Sequence, residues 1–285
     1  MTIAAGFRVS DGVLLCADTQ LTIPGYFKYP ESKIRVWDGD GETAFFAIAG
    51  YVDFSLMGIN HLSVVLQKTP KDRSRREAIE SECRTLYETY ASLPPQGDFV
   101  LEMLLALQNE HVAQLSKISG PSFTRIAEFE CIGSGAFLAR AIASELYDPQ
   151  MTLKDATPMA AYILGMAKRH VDGCGGNSQI LLIFDRTRSH EIVPNLTIEV
   201  MEKAYTEFWR ASRGLLLRYP DLSVKQDDFK KMIDSHSLRL EQNRRHLIRH
   251  WQDRANEMLE REAEAHERGD VDDDEPSALD PKGNA

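Results

Sequence analysis

Cysteine is scarce in this 285-residue chain, with only Cys16, Cys83, Cys131 and Cys174. They form no Cys-x-x-Cys pair and no Cys/His spacing suited to a metal, which argues against a disulfide scaffold or a zinc module. Reduced thiols in a cytoplasmic protein are expected, and no metal or other cofactor is implied. Long hydrophobic runs are missing too. Runs such as Thr43–Val52 are far too short to span a bilayer, and no N-terminal stretch pairs a basic segment with an apolar one. No membrane partner is therefore expected. Nor is there an excess of positive charge: 33 Lys+Arg stand against 43 Asp+Glu, a net of −10. Such a balance argues against nonspecific binding to nucleic acid or anionic membranes. No internal repeat of 20–50 residues is present, so a solenoid or propeller is set aside.

The chain does hold an ordinary globular mixture, 43% hydrophobic and 27% charged, with ample material for a buried core. Thr2–Val9 and Val13–Asp18 are β-rich runs joined by Ser10-Asp11-Gly12, a strong hairpin signal. Lys33–Trp37 and Thr43–Ala49 repeat that form. Three- and four-residue spacing then predicts helices over Phe54–Gln67 and Arg76–Leu93. Phe99–Gln108 and His111–Ser116 suit a hairpin or one helix face. A strand is predicted over Phe123–Ile132, a short helix over Ala136–Leu146, and a well-marked helix over Thr152–Val171, where Thr152 and Asp155 make an acidic capping box. Gln179–Asp185 and His190–Val193 close the pattern as strands. Paired hairpins with grouped helices predict an α+β fold, a layered sandwich of antiparallel sheets with helices on the outer faces.

Beyond Pro194 the composition changes. Residues 195–268 read as a charged helical extension broken at Tyr219-Pro220-Asp221, with a loose stripe of Phe229, Ile233, Leu240, Leu247, Trp251 and Leu259. Arg244, Arg245, Arg249 and Arg254 flank it without interleaved aromatics, so an amphipathic packing face is expected rather than a nucleic-acid site. Residues 269–285 carry six acids and one base and are expected to be a disordered acidic tail.

The N-terminus carries the chemistry. Methionine before a small residue is the context for initiator removal, so the mature chain is expected to begin at Thr2. An N-terminal threonine supplies a hydroxyl nucleophile and an α-amine that serves as its base. That amine has a reference pKa of about 7.7–8.0, and a nearby ammonium lowers it.

An ordered set of segments gives this weak signal its weight. Thr2-Ile-Ala-Ala-Gly-Phe-Arg-Val, Asp11-Gly12-Val-Leu-Leu-Cys-Ala-Asp18, Ser32-Lys33-Ile34-Arg35-Val36 and Ala49-Gly50-Tyr-Val-Asp53 open the series. Ile132-Gly133-Ser134-Gly135-Ala136, Thr152-Leu-Lys-Asp-Ala156 and Asp172-Gly-Cys174-Gly175-Gly176 complete it. The set resembles proteasome β-type subunits and their bacterial, propeptide-less relatives, within the N-terminal-nucleophile hydrolases. The resemblance implies a four-layer αββα sandwich over residues 1–194. It also implies roles: Thr2 as nucleophile, Asp18 holding Lys33 by a salt bridge, and Lys33 tuning the hydroxyl and amine. Gly50 would offer its backbone N–H to the oxyanion, and Ser134 would hydrogen-bond the amine.

The last segment departs from the pattern. Relatives carry an aspartate, two residues, then Ser-Gly-Gly, whereas this chain has Val171-Asp172-Gly173-Cys174-Gly175-Gly176. A gapless count from Ser134 puts Cys174 at the serine and Val171 at the aspartate. Two readings stay open: Val171 takes the aspartate's place and the carboxylate is missing, or a re-registered helix end brings Asp172 into the site. The second is the expectation here, because an apolar residue facing the amine would desolvate it without a partner.

Strand edges near Gln20–Thr22 and Ala47–Gly50 are expected to flank a groove that receives an extended peptide as an added strand. Thr22, Ile48 and Cys174 are the expected substrate contacts, with Lys33 and Val52 also near the pocket. The resemblance thus implies a threonine peptidase acting on unfolded polypeptide inside a homo-oligomeric ring, and allows for an ATP-driven unfoldase partner. Two other readings stay open: a non-catalytic structural subunit of such an assembly, and a small-molecule amidohydrolase of the same fold.

Overall fold

The computed structural model describes residues 2–22, 28–39, 41–70, 73–91, 101–109 and 111–267. Two five-stranded antiparallel sheets lie face to face. The first takes β1 (Ala4–Val9), β2 (Gly12–Asp18), β10 (Phe129–Ile132), β11 (Ser178–Phe184) and β12 (His190–Ile192), in the order β10-β1-β2-β11-β12. The second runs β5 (Ile34–Gly39), β6 (Glu42–Gly50), β7 (Leu101–Gln108), β8 (Ala113–Ser119), β9 (Ser122–Arg125) in chain order. Between them in sequence, β3 (Gln20–Thr22) and β4 (Lys28–Pro30) form a separate short pair that the sequence reading did not resolve.

Period-two alternation explains why the inner strands are buried on both faces. In β2, Val13, Leu15 and Ala17 join the core between the sheets, while Leu14 and Cys16 face the other way. That outer face is covered by α3 (Ala136–Leu146) and α4 (Leu153–His170), with Ala139, Ala143, Ala160 and Leu164 against Phe7 and Leu14. In β6, Phe45, Ala47 and Ala49 point into the inter-sheet core. Ala44, Phe46 and Ile48 point toward α1 (Val52–Lys68) and α2 (Arg73–Ala91), with Leu62, Leu66 and Ile79. The result is the four-layer αββα sandwich. Thr152 caps α4 in a reciprocal box with Asp155, as the spacing predicts.

The ambiguous segments around 99–116 are a hairpin, β7–β8. Phe123–Ile132 is not one strand. Its first part, β9, extends the second sheet with Ser116 opposite Arg125, and its second, β10, joins the first sheet with Ala5 opposite Cys131. The crossing occurs at Ile126–Glu128, where Ile126 N–H donates to Leu115 O and Arg8 N–H to Glu128 O. No glycine or proline marks that crossing, so the sequence reads as continuous.

The chain divides into two compact units after Thr206 rather than after Pro194. The first turns of α5 (Asn195–Arg218) belong to the sandwich unit because Ile198 is buried in its core. Glu202 also accepts hydrogen bonds from Ser178 Oγ (2.6 Å) and Lys168 Nζ (2.8 Å). The second unit continues α5 to Arg218 and adds α6 (Gln226–Glu267), so the expected break at Tyr219-Pro220-Asp221 falls between the helices. Within it, the Tyr219 and Phe229 rings stand 6.2 Å apart. Phe229, Leu240 and Leu247 are half-buried, whereas Ile233 is exposed. The side chains of Trp251 and Leu259, and the acidic tail, lie outside the described residues. No helix among the described residues is long and apolar enough to cross a membrane.

Candidate active site

Three titratable or nucleophilic side chains meet where β1 begins. Thr2, Asp18 and Lys33 are 3%, 0% and 1% exposed, although two of them carry charge at neutral pH in most settings. Thr2 precedes β1, and Asp18 ends the neighbouring β2, whose Ala17 lies opposite Ala4. Lys33 comes from the second sheet, one residue before β5. The site therefore straddles the two sheets.

Asp18 organises the cluster. Its Oδ1 accepts from Thr2 Oγ1 (2.6 Å), Ile3 N–H (3.0 Å) and Lys33 Nζ (2.6 Å), and its Oδ2 accepts from Gly175 N–H (2.8 Å). Lys33 Nζ donates to Thr2 Oγ1 and to Gln20 O (2.7 Å) as well. All three ammonium protons thus have an acceptor, which is the condition for burying such a charge. Burial pushes the Lys33 pKa below the ordinary lysine value, and the Asp18 carboxylate opposes that shift.

The turn after β10 closes the other side. Thr2 N–H donates to Ser134 Oγ at 3.1 Å, while Thr2 O accepts from Ser134 Oγ (3.2 Å) and Gly135 N–H (3.1 Å). Gly133 has φ +84°, and a Cβ there would lie 2.5 Å from Thr2 O and 2.8 Å from Thr2 Cγ2. Only glycine allows both that backbone and that approach. Cys174 sits beside Ser134, and a Cβ on Gly135 would lie 3.1 Å from its Sγ. Burial and the nearby Asp18 charge raise the Cys174 pKa, so the thiol stays protonated and is a poor nucleophile.

Gly50 ends β6 exposed, at φ +88°, where the strand turns into α1. Ile48 N–H donates to Lys33 O at 3.0 Å, so Gly50 follows two residues after the lysine's backbone partner. The Ile48 side chain does not face the cluster. It points into the core beneath α1 with Phe54 and Leu62, because alternation in β6 sends residues 47 and 49 the opposite way. The Thr22 side chain lies outside the described residues; its backbone pairs with Lys28.

Asp172 is not brought to the site. Helix α4 ends at His170, Val171 N–H still donates to Ala167 O, and Cys174 N–H closes a tight turn onto Val171 O at 3.1 Å. Gly173, at φ +86°, lets the chain reverse. Asp172 is left exposed at the tip of that turn, and Val171 packs against the core. The gapless count, not the re-registered helix end, describes the structure. Among the described residues, Asp18 supplies the only carboxylate hydrogen-bonded to Thr2.

Two residues escaped the sequence reading. Gln179 Oε1 accepts from Lys33 N–H (2.9 Å) and its Nε2 donates to Ser32 Oγ (2.8 Å), while Glu102 Oε2 accepts from Gly133 N–H (2.9 Å). Neither residue belongs to a motif, and each binds backbone far away in sequence, so no local signal marked them.

A family model for the proteasome subunit matches residues 2–183. The chain belongs to the proteasome subunit family. Solved structures of Anbu proteins share its proteasome-type fold. Anbu (ancestral beta-subunit) from Yersinia bercovieri is 14% identical with a TM-score of 0.63, covering 79% of this chain and 99% of its own. The Anbu complex from Pseudomonas aeruginosa, solved as a helical assembly, gives 14% and 0.64 over the same shares. A Gly-1 mutant of Anbu from Hyphomicrobium sp. strain MC1 gives 14% and 0.64, covering 75% of this chain and 97% of its own. No curated protein matches the sequence. As a proteasome-family subunit, the chain sets Thr2 just before β1 with Asp18 and Lys33 around its hydroxyl.

Proposed function

We propose that this proteasome-family subunit is an N-terminal threonine peptidase that cleaves unfolded polypeptide inside a cytoplasmic homo-oligomeric assembly. One observation carries the reading: the Thr2 hydroxyl is the shared partner of a buried ammonium and a buried carboxylate. A structural threonine has no need of two buried charges, which are costly to desolvate.

The geometry supports a definite sequence of steps. Removal of Met1 turns the Thr2 nitrogen from an amide into an amine. That amine takes the hydroxyl proton as Oγ1 attacks the substrate carbonyl, forming the ester C–O bond through a tetrahedral intermediate. Lys33, fixed by Asp18 and Gln20 O, lowers the energy of the developing alkoxide through its charge. The Gly50 N–H is the expected donor to the oxyanion. The protonated amine then gives its proton to the leaving amine, and water hydrolyses the ester by the reverse path. Ser134 Oγ, 3.1 Å from the Thr2 nitrogen, holds that nitrogen in place throughout. A homo-oligomeric ring and an ATP-driven unfoldase remain part of this reading on family grounds alone.

A non-catalytic subunit is the second reading, and the outward-facing Asp172 favours it. Intact mass of the cellular protein, before and after a peptide β-lactone, separates the two. A catalytic subunit lacks Met1 and gains one adduct that Thr2→Ala abolishes. Retention of Met1, or residual turnover above a few percent in Thr2→Ala, sinks the Thr2 assignment.

A further inference from the structure

A site divided between two stacked sheets poses a positioning problem. Backbone hydrogen bonds fix strands within each sheet, but the core between the sheets is apolar, built by side chains such as Leu15, Phe45, Leu104 and Leu181. Apolar burial is strong but non-directional. It leaves the lateral register of one sheet on the other loosely set, whereas a working catalytic geometry needs about half an ångström. Thr2, Asp18 and Ser134 belong to the first sheet and its turns, and Lys33 enters from the second. Something polar has to set the register.

Gln108 Nε2, donating to Phe184 O and Ser189 O, and Asp185 Oδ1, accepting from Ala113 N–H, tie the sheets at the end away from Thr2. At the Thr2 end two side chains meet that need, one from each sheet. Gln179, in β11 opposite Ala17, reaches to the segment that enters β5. Its amide is used at both ends, accepting from Lys33 N–H and donating to Ser32 Oγ, and that hydroxyl donates in turn to Ile34 O at 2.9 Å. Glu102, in β7, reaches the opposite way to the turn that leaves β10. There its Oε2 holds the N–H of Gly133, whose backbone lies so close to Thr2 that a Cβ would overlap Thr2 O. The Glu102 carboxylate is itself placed by charge: Lys117 Nζ from β8 stands 3.9 Å from its Oε1 and 3.7 Å from Glu130 of β10. Arg140 of α3 pairs with Glu130 in turn, at 2.6 Å.

We propose that Gln179 and Glu102 are positioning residues, a reciprocal clamp across the sheets that sets the approach of Lys33 to Thr2. Gln179 places the lysine by its backbone. Glu102 places the turn that carries Ser134 and that touches the Thr2 carbonyl. Neither touches the reacting atoms. The proposal rests on Thr2 being the nucleophile, but its physical content, the placement of Lys33, is measurable without turnover.

The test uses the full-length protein and four variants: Gln179→Ala, Gln179→Glu, Glu102→Ala and Glu102→Gln. Acylation of Thr2 by a peptide β-lactone is timed by intact mass, and Lys33 is titrated by NMR of lysine labelled at Cε. Lys33 faces Asp18, Cys174 and Thr2, so its titration reports its distance from them. Each alanine variant is expected to acylate about 100-fold more slowly, the scale set by an ångström of misplacement, with the loss in the maximal acylation rate rather than in the lactone concentration that half-saturates it. Glu102→Gln keeps an acceptor for Gly133 N–H and is expected to recover most of the rate. In Gln179→Ala the Lys33 pKa is expected to rise toward the ordinary lysine value as water reaches it. Gln179→Glu keeps the acceptor for Lys33 N–H and is expected to fall between wild type and alanine. Alanine variants that acylate within about 3-fold of wild type, or a Glu102→Gln as slow as Glu102→Ala, overturn the clamp. If the wild-type protein forms no adduct, the peptidase reading fails instead. The Lys33 titration in Gln179→Ala then decides the clamp alone, and an unchanged titration overturns it.

Discussion

Replacing Lys33 by methionine keeps the volume of the side chain but removes its charge and its donors. Asp18, fully buried, then loses its salt-bridge partner and keeps three donors: Thr2 Oγ1, Ile3 N–H and Gly175 N–H. Breaking a buried ion pair by removing one partner costs about 3–5 kcal/mol. The retained donors hold this case near the low end, about 3 kcal/mol, because they continue to solvate the carboxylate. Urea unfolding at pH 7 and fixed protomer concentration measures it, with an unchanged m-value. Acylation of Thr2 is expected to fall by roughly 10²–10³-fold, the scale of one charge-stabilising donor lost from the transition state. Asp18→Asn with Lys33→Met is expected to cost less than the sum of the single changes, since no lone buried charge remains. A Lys33→Met protein within about 1 kcal/mol of wild type would refute the reasoning, because the pair could not then be buried as described.

The same residue carries a pH signature. Its folded pKa lies below 10.5, so below that folded value the proton it carries is held at a cost to the folded state. Between the folded value and the unfolded one, the unfolded chain binds more protons, so stability rises with pH. Wild type should therefore gain stability on alkalinisation toward pH 10.5 relative to Lys33→Met. A difference curve that is flat or falls would contradict the burial of the ammonium.

Three further expectations follow from other parts of the molecule. Asp172→Asn should leave acylation and the unfolding free energy within about 2-fold and 0.5 kcal/mol of wild type, because the side chain is exposed and unpartnered among the described residues; a severe loss would return it to the site. Gly133→Ala should cost about 1–3 kcal/mol from its backbone conformation alone and displace Thr2, so acylation should collapse while far-UV circular dichroism is retained. Truncation after Pro194 should lower the thermal midpoint of the sandwich unit by roughly 5–10 °C, because Ile198 and Glu202 leave with the helix, whereas truncation after Thr206 should spare it.

The fold was largely legible because its signals are local. Asp11-Gly12 turns the first hairpin, Thr152 and Asp155 open α4, and three- to four-residue spacing marks α1 and α2. The crossing at Ile126–Glu128 was not legible, since the chain changes sheets there without any residue that demands a turn. The site followed the same rule. Thr2, Asp18, Lys33 and Ser134 each lie in a motif segment, and the structure brings all four together. Gln179 and Glu102 act on distant backbone amides, and an amide has no sequence signature.

The outward turn of Asp172 shows what decides register at such a site. An exposed carboxylate gains nothing by turning inward unless its helix end can shift, and here that end is held on both sides. Upstream, Val171 N–H still satisfies Ala167 O and its side chain packs on the core. Downstream, Gly175 N–H is bound to Asp18 Oδ2, and Gln20 N–H donates to Gly175 O at 3.0 Å. Moving Asp172 inward by one position would break the bonds at 171 and 175 together and expose Val171. Each lost buried hydrogen bond costs about 1–3 kcal/mol, so breaking two outweighs the one added contact to the Thr2 nitrogen. The anchoring that fixes Asp18 against Lys33 is therefore the same anchoring that excludes Asp172. Under the proposed peptidase reading, a proton leaving Thr2 then has the amine, rather than a second carboxylate, as its acceptor.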